Sequence, residues 1–196
     1  MKEISAFLIV FTIIIIIYIT YQSKLGTLTY VTSTIDNRKY LVRNEKDKQK
    51  AADQLATINK KMLDFINNLV SKNRNNDNYK QFIRIKNKYN PNNISENLKN
   101  SNHTSYSVNK GEKMVLCIRQ KEDDSFVDDN TIVFVVIHEL AHIMSKSIGH
   151  TDEFWENFRI LLKEAEEYNL YTPIDYNKDT QRYCGINITD NPYYDK

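Results

Sequence analysis

Three of the four histidines in this 196-residue chain lie within thirteen positions, in the stretch VIHELAHIMSKSIGHTDEFW, residues 136–155. His138 and His142 flank a glutamate as His138-Glu139-Leu140-Ala141-His142, and His150 follows eight positions later. Neutral imidazole nitrogens bind zinc at about 2.0–2.1 Å, and a catalytic zinc keeps one coordination position for water. Bound zinc makes that water acidic near neutral pH, so a neighbouring carboxylate can accept its proton and pass it to a leaving amine. The residue types suit zinc-assisted hydrolysis of a peptide bond, with His138 and His142 as ligands and Glu139 as general base.

A spacing of four serves this chemistry only on a helix. There the two imidazoles point the same way about one turn apart. On a strand they would sit about 13 Å apart, too far to share an ion. The preceding run, Thr131–Ile137, is β-branched and favours a strand on propensity alone. Against that, Asp128, Asp129 and Asn130 are good helix N-caps, and an apolar run on all sides also marks a buried helix. The spacing therefore predicts a helix over residues 130–146.

A tetrahedral catalytic site needs a third protein ligand. The candidates are His150 and the carboxylates Glu164, Glu166 and Glu167 of the next predicted helix. Gly149 can take the left-handed conformation that turns the chain back after His142. Thr151 or Asp152 can then cap a helix with the apolar stripe Phe154, Phe158, Leu161, Leu162 and Ala165. That arrangement puts His150 in the corner between two helices, facing back. The alternative is a solvent-exposed loop histidine.

The elements around this pair of helices read as mixed α and β. Residues 27–42 are rich in Thr, Val, Ile and Tyr and predict one or two strands. Ala52, Leu55, Ile58, Met62, Phe65, Ile66 and Leu69 fall at helical spacing within a long amphipathic helix over 46–70. A shorter helix is expected over 79–89, ended by Asn90-Pro91, and a polar loop over 92–104. Residues 105–108, 109–111 and 112–119 read as strand, turn and strand. Helices and strands around one core predict an α+β domain over residues 26–196.

Before that domain, residues 4–21 read ISAFLIVFTIIIIIYITY, eighteen positions without a charge. As a helix they would span about 27 Å, close to a bilayer's hydrocarbon thickness. No small-x-small cleavage site follows, so residues 1–25 read as an uncleaved single-pass anchor. Counting Lys and Arg leans weakly towards a cytosolic C-terminal domain.

Composition excludes little else. The formal net charge of +2 does not by itself imply a nucleic-acid or acidic partner. Lys72, Arg74, Lys80, Arg84, Lys86 and Lys88, with Tyr79, Phe82 and Tyr89 interleaved, form one basic patch. A solvated helix face is its commoner explanation, and lipid headgroups fit it as well as DNA. Cys117 and Cys184 match no CxxC pattern and read as two free thiols ahead of one disulfide. In the Tyr-rich tail, Tyr176 or Tyr183 could donate to an oxyanion, with packing the simpler role.

Over about residues 128–170 the chain resembles the WLM and SprT (Spartan)-like zinc metallopeptidases. The likeness rests on His138-Glu139-Leu140-Ala141-His142 followed by Gly149-His150-Thr151-Asp152-Glu153-Phe154-Trp155. It implies a zincin-like α+β domain, with His138, His142 and His150 as zinc ligands, Glu139 as catalytic base and a protein or peptide as substrate. It also raises proteolysis of DNA-crosslinked proteins. The reading from another class is a non-catalytic anchored protein in which zinc only stabilises a binding module.

Overall fold

The computed structural model describes the backbone of residues 2–25 and 27–195, and side chains outside residues 1–7, 21–26 and 196. Helix α1, Lys2–Leu25, covers the expected anchor. The side chains of Ile4–Phe7 and Tyr21 in that run lie outside the described residues. Among the described residues, no helix is long and apolar enough to cross a membrane. The described apolar stretch, residues 8–20, would span only about 20 Å, so the transmembrane expectation gains no support from it.

The next elements build a mixed sheet. Strands β1 (Leu28–Thr32), β2 (Lys39–Arg43), β3 (Ile94–Glu96), β4 (Tyr106–Val108) and β5 (Lys113–Leu116) take the order β1-β2-β3-β5-β4. The inner strands β2, β3 and β5 run parallel, and an antiparallel hairpin partner lies at each edge. Helices α2 (Lys48–Lys72) and α3 (Tyr79–Lys88) form the crossover from β2 to β3. The predicted stripe of α2 is buried, and the helix packs on β1, β2 and β3. The α+β expectation holds.

One strand was not legible. Residues 92–104 read as a polar loop, yet Ile94, Ser95 and Glu96 form β3 in the middle of the sheet, each at most 5% exposed. Three residues are too few to show a period, and Glu96 is a poor strand former by type. It is tolerated because Arg43 and Arg119 reach its carboxylate, at 3.3 and 3.4 Å.

Helices α4 (Asp129–Met144) and α5 (Asp152–Glu167) pack on each other. The β-branched run before the histidines is helical, and Ile132, Val133, Val136, Ile137 and Leu140 are all buried. The Asp128 carboxylate accepts the Thr131 N–H at 2.9 Å, closing the helix N-terminus as its residue type predicted.

The tail folds into a hairpin of β6 (Gln181–Tyr183) and β7 (Ile186–Ile188), then a 3-10 turn over Pro192–Tyr194 that packs on α5. Cys184 and Gly185 both have positive φ, as a two-residue hairpin turn of this twist requires. The expectation of free thiols is corrected here. Cys117, just past β5, and Cys184, in the hairpin turn, form a disulfide with Cα atoms 6.3 Å apart. Sixty-seven residues separate them, and only the tertiary fold brings them together.

Candidate metal centre

Ligand nitrogens of His138, His142 and His150 lie within 4.8 Å of one another. The Nε2 atoms of His138 and His150 are 3.1 Å apart. Two ligands at about 2.05 Å on a tetrahedral zinc would stand about 3.3 Å apart, so the spacing fits the ion. His138 and His142 are one helical turn apart on α4, as their spacing required. Gly149 has φ +84°, and Thr151 accepts the Phe154 N–H to cap α5. The corner between the helices therefore turns His150 back onto the first pair.

The alternative carboxylates are engaged elsewhere. Glu164 and Glu167 pair with Lys72, and Tyr193 donates to Glu166. None of the three joins the histidine cluster among the described residues.

Electrostatics favour neutral, metal-ready imidazoles. Burial, then the nearby His142 and His150, hold His138 down at about 3. Burial, then His150 and Lys110, hold His142 down at about 4. Both rings are uncharged at neutral pH, with lone pairs for a cation. Phe154, fully buried, stacks on His142 at 4.3 Å and meets His138 edge-on at 4.8 Å. This aromatic floor limits how far either ring can swing.

Glu139 is 4% exposed, and α4 packs beside the edge strand β4. Burial pushes its carboxyl up to about 7, against the pull of hydrogen bonds from the Ser107 hydroxyl and N–H on β4. The carboxyl next to the first candidate ligand therefore holds its proton more firmly than a solvated glutamate does.

Several residues to which the sequence reading gave no such role hold this corner. Lys110 Nζ donates to the carbonyls of Ser145, Lys146 and Ser147 at 2.7, 2.9 and 2.7 Å. Arg84 donates to the Met144 carbonyl at 2.8 Å. Two cations thus satisfy the carbonyls at the C-terminal end of α4. On the far side of the turn, the Glu153 carboxylate accepts the N–H groups of Lys146 and Ser147, both at 2.9 Å. Asn157 donates to Ser145 Oγ at 2.8 Å. Gly111, next to Lys110, has φ +104°, and a Cβ there would lie 2.8 Å from both Ile143 Cδ1 and the Lys88 carbonyl oxygen. The Asn-Lys-Gly turn was visible in the sequence as a hairpin connection. Its second role, delivering Lys110 to a loop 35 residues on, was not.

The fold commits part of the basic patch to its own structure. Phe82 and Tyr89 are buried in the core, and Tyr89 donates to Asn59 at 2.9 Å. Arg84 is committed to α4 and Lys72 to glutamates. Of the tail tyrosines, Tyr176 is buried edge-on against Phe134 at 4.9 Å. Tyr183 hydrogen-bonds with Ser105 and lines the same cavity as Glu139.

The chain is similar to known proteins. The WLM domain profile matches residues 33–194. The uncharacterized protein R325 of Acanthamoeba polyphaga mimivirus is 32% identical over 183 residues, 92% of each chain. The DNA-dependent metalloprotease WSS1 homolog 2 of Schizosaccharomyces pombe is 37% identical over 76 residues, 38% of this chain and 26% of that one. Among solved structures, Wss1 from Saccharomyces cerevisiae is 21% identical, with a TM-score of 0.47 over 66% of this chain and 90% of that one. By the extent of the profile match and of the mimivirus likeness, the chain belongs to the WLM domain family.

Proposed function

We propose that the chain is a zinc-dependent metallopeptidase of the HExxH type. In this reading His138, His142 and His150 hold the ion and Glu139 is the general base. The observation that carries it is the convergence of three imidazoles within 4.8 Å, one residue along the helix from a buried carboxyl. A structural zinc site takes four protein ligands, whereas three with an open position suit catalysis. When bound, zinc supplies Lewis acidity towards a carbonyl and towards water. Glu139 shares a cavity with His138, so it is sited to take a proton and return it to the leaving amine. The test uses the full chain in detergent. Stoichiometric zinc and chelator-sensitive peptide cleavage, lost in Glu139→Gln while zinc is retained, are the expected results. Zinc bound without turnover on any peptide library would instead favour the structural-zinc binding module.

A second reading, DNA-stimulated proteolysis, draws support from the likeness to the fission-yeast DNA-dependent metalloprotease. It requires cleavage to rise when single- or double-stranded DNA is added, and a flat response excludes it.

We also keep the N-terminal helix as a membrane anchor through residues 4–21. Its support is the uncharged run of residues 4–21 in the sequence. The disulfide fits an oxidising compartment and opposes the cytosolic lean of the charge count. Flotation with phosphatidylcholine liposomes that is lost on deleting residues 1–25 is expected, and a chain that stays in the aqueous fraction removes the anchor.

A further inference from the structure

Beside the histidine cluster lies a cavity of about 270 Å³ that the hydrolytic chemistry leaves unexplained. Much of its wall is apolar: Phe134 and Val135 from α4, Phe158 from α5, and Ile186 and Ile188 from the tail hairpin. Trp155 stands at the same cavity, 42% exposed, and Ile186 is 50% exposed. Large apolar side chains left open to water around a concave, functional site mark a binding surface. The volume is below the roughly 300–1,000 Å³ of drug-sized ligand sites, so it suits one side chain.

The position of the cavity says whose side chain that is. His138 and Glu139 line it, whereas His142 and His150 do not. It therefore opens on the Glu139 side of the cluster, where a peptide placed for attack has its scissile bond. The charge of the lining selects among side chains. Apart from His138, its titratable groups are Glu139, Tyr183 and Asp190, so an acidic side chain meets repulsion. Asp190 already accepts the Asn191 N–H at 2.8 Å in its own turn.

We propose that this cavity is the specificity pocket of the enzyme, taking a large apolar residue such as Leu, Met or Phe next to the scissile bond. The inference rests on the metallopeptidase reading. The hairpin wall is set by long-range ties: the Cys117–Cys184 disulfide holds its turn, and Ser105 holds Tyr183. Ile186, Ile188 and Trp155 are thereby specificity-determining residues.

The test measures binding by the zinc-loaded full chain with the fluorescence of Trp155, the single tryptophan. The probes are acetohydroxamate and peptidyl hydroxamates carrying a methyl, isobutyl, benzyl, carboxyethyl or aminobutyl side chain. Isobutyl and benzyl probes are expected to bind about 10–100-fold more tightly than the methyl probe. Ile186→Asp, at a half-exposed position that tolerates change, should reduce that ratio to below about 5-fold. Ile186→Phe, which narrows the mouth, should reduce the benzyl ratio more than the isobutyl ratio. Equal binding of all side chains, or a preference for the aminobutyl or carboxyethyl probe, overturns the pocket while leaving the metal centre standing. Failure of every hydroxamate to bind overturns the metal centre and the pocket together.

Discussion

Two clusters of polar groups stand in this domain, and they are built on opposite rules. At the sheet, Glu96 sits between Arg43 and Arg119, Asp124 is 2.9 Å from Arg43, and Asp47 is 3.0 Å from Arg119. Every charge there meets an opposite one. At the helix corner, three imidazoles converge with no carboxylate among them, and Lys110, a cation that acts on His142, is committed to backbone carbonyls. Buried charges must be paired, so a closed cluster is structural. Neutral donors aimed at one point are under no such demand and have their lone pairs free for a cation. The contrast separates a part that holds the fold from a part poised for chemistry.

Mutations should divide along the same line. The largest effect is expected for Glu139→Gln, which should lower kcat by about 10²–10⁴-fold without changing zinc stoichiometry or thermal stability. Steady-state kinetics beside metal analysis checks it, and full activity in that variant would erase the distinction between the two clusters. Glu96→Gln should do the reverse, destabilising the fold by about 2–4 kcal/mol because two buried guanidiniums lose their shared partner and each keeps only a more exposed aspartate. Denaturant titration reads that loss, while zinc affinity of the folded fraction should stay within about threefold. Reducing the Cys117–Cys184 bridge, which closes a long loop, should cost about 2–4 kcal/mol. Because the bridge anchors the pocket wall, side-chain preference among peptides should weaken before cleavage itself is lost.

The smallest effect concerns the corner that carries His150. Hydrogen bonds from Lys146 N–H and from Ser147 hold the Glu153 carboxyl down at about 2, below its ordinary value near 4.5. A depressed folded-state value means the stabilisation is present above about pH 4.5 and fades as pH falls towards 2. Glu153 is exposed, so solvent screening limits the contribution to under about 1 kcal/mol. Wild type and Glu153→Gln should therefore differ in melting temperature at pH 6 and converge near pH 2–3. Equal melting temperatures at pH 6 would mean that the corner is held by Lys110 and Asn157 instead.

How much was legible follows from the distance over which each feature is specified. His138, Glu139 and His142 occupy one helical turn, and the demand that two imidazoles meet one ion overrode the strand propensity of Thr131–Ile137. Gly149 and Thr151 announced the corner that returns His150, because a left-handed residue and a hydroxyl cap act within a few positions of themselves. The long stripe of α2 and the N-cap of α4 were equally local. These were determined by the sequence alone.

The tertiary structure decided the rest. Strand β3 is three residues long and contains a glutamate, so only the two arginines that meet it explain its burial. The disulfide joins segments 67 residues apart, and no spacing rule reaches that far. Lys110 acts on carbonyls 35 to 37 positions away. The apolar pocket takes its walls from two helices and a tail hairpin that share no pattern along the chain. Local chemistry selects conformation over a turn or two, while burial and pairing between distant segments depend on which surfaces the packed core brings together.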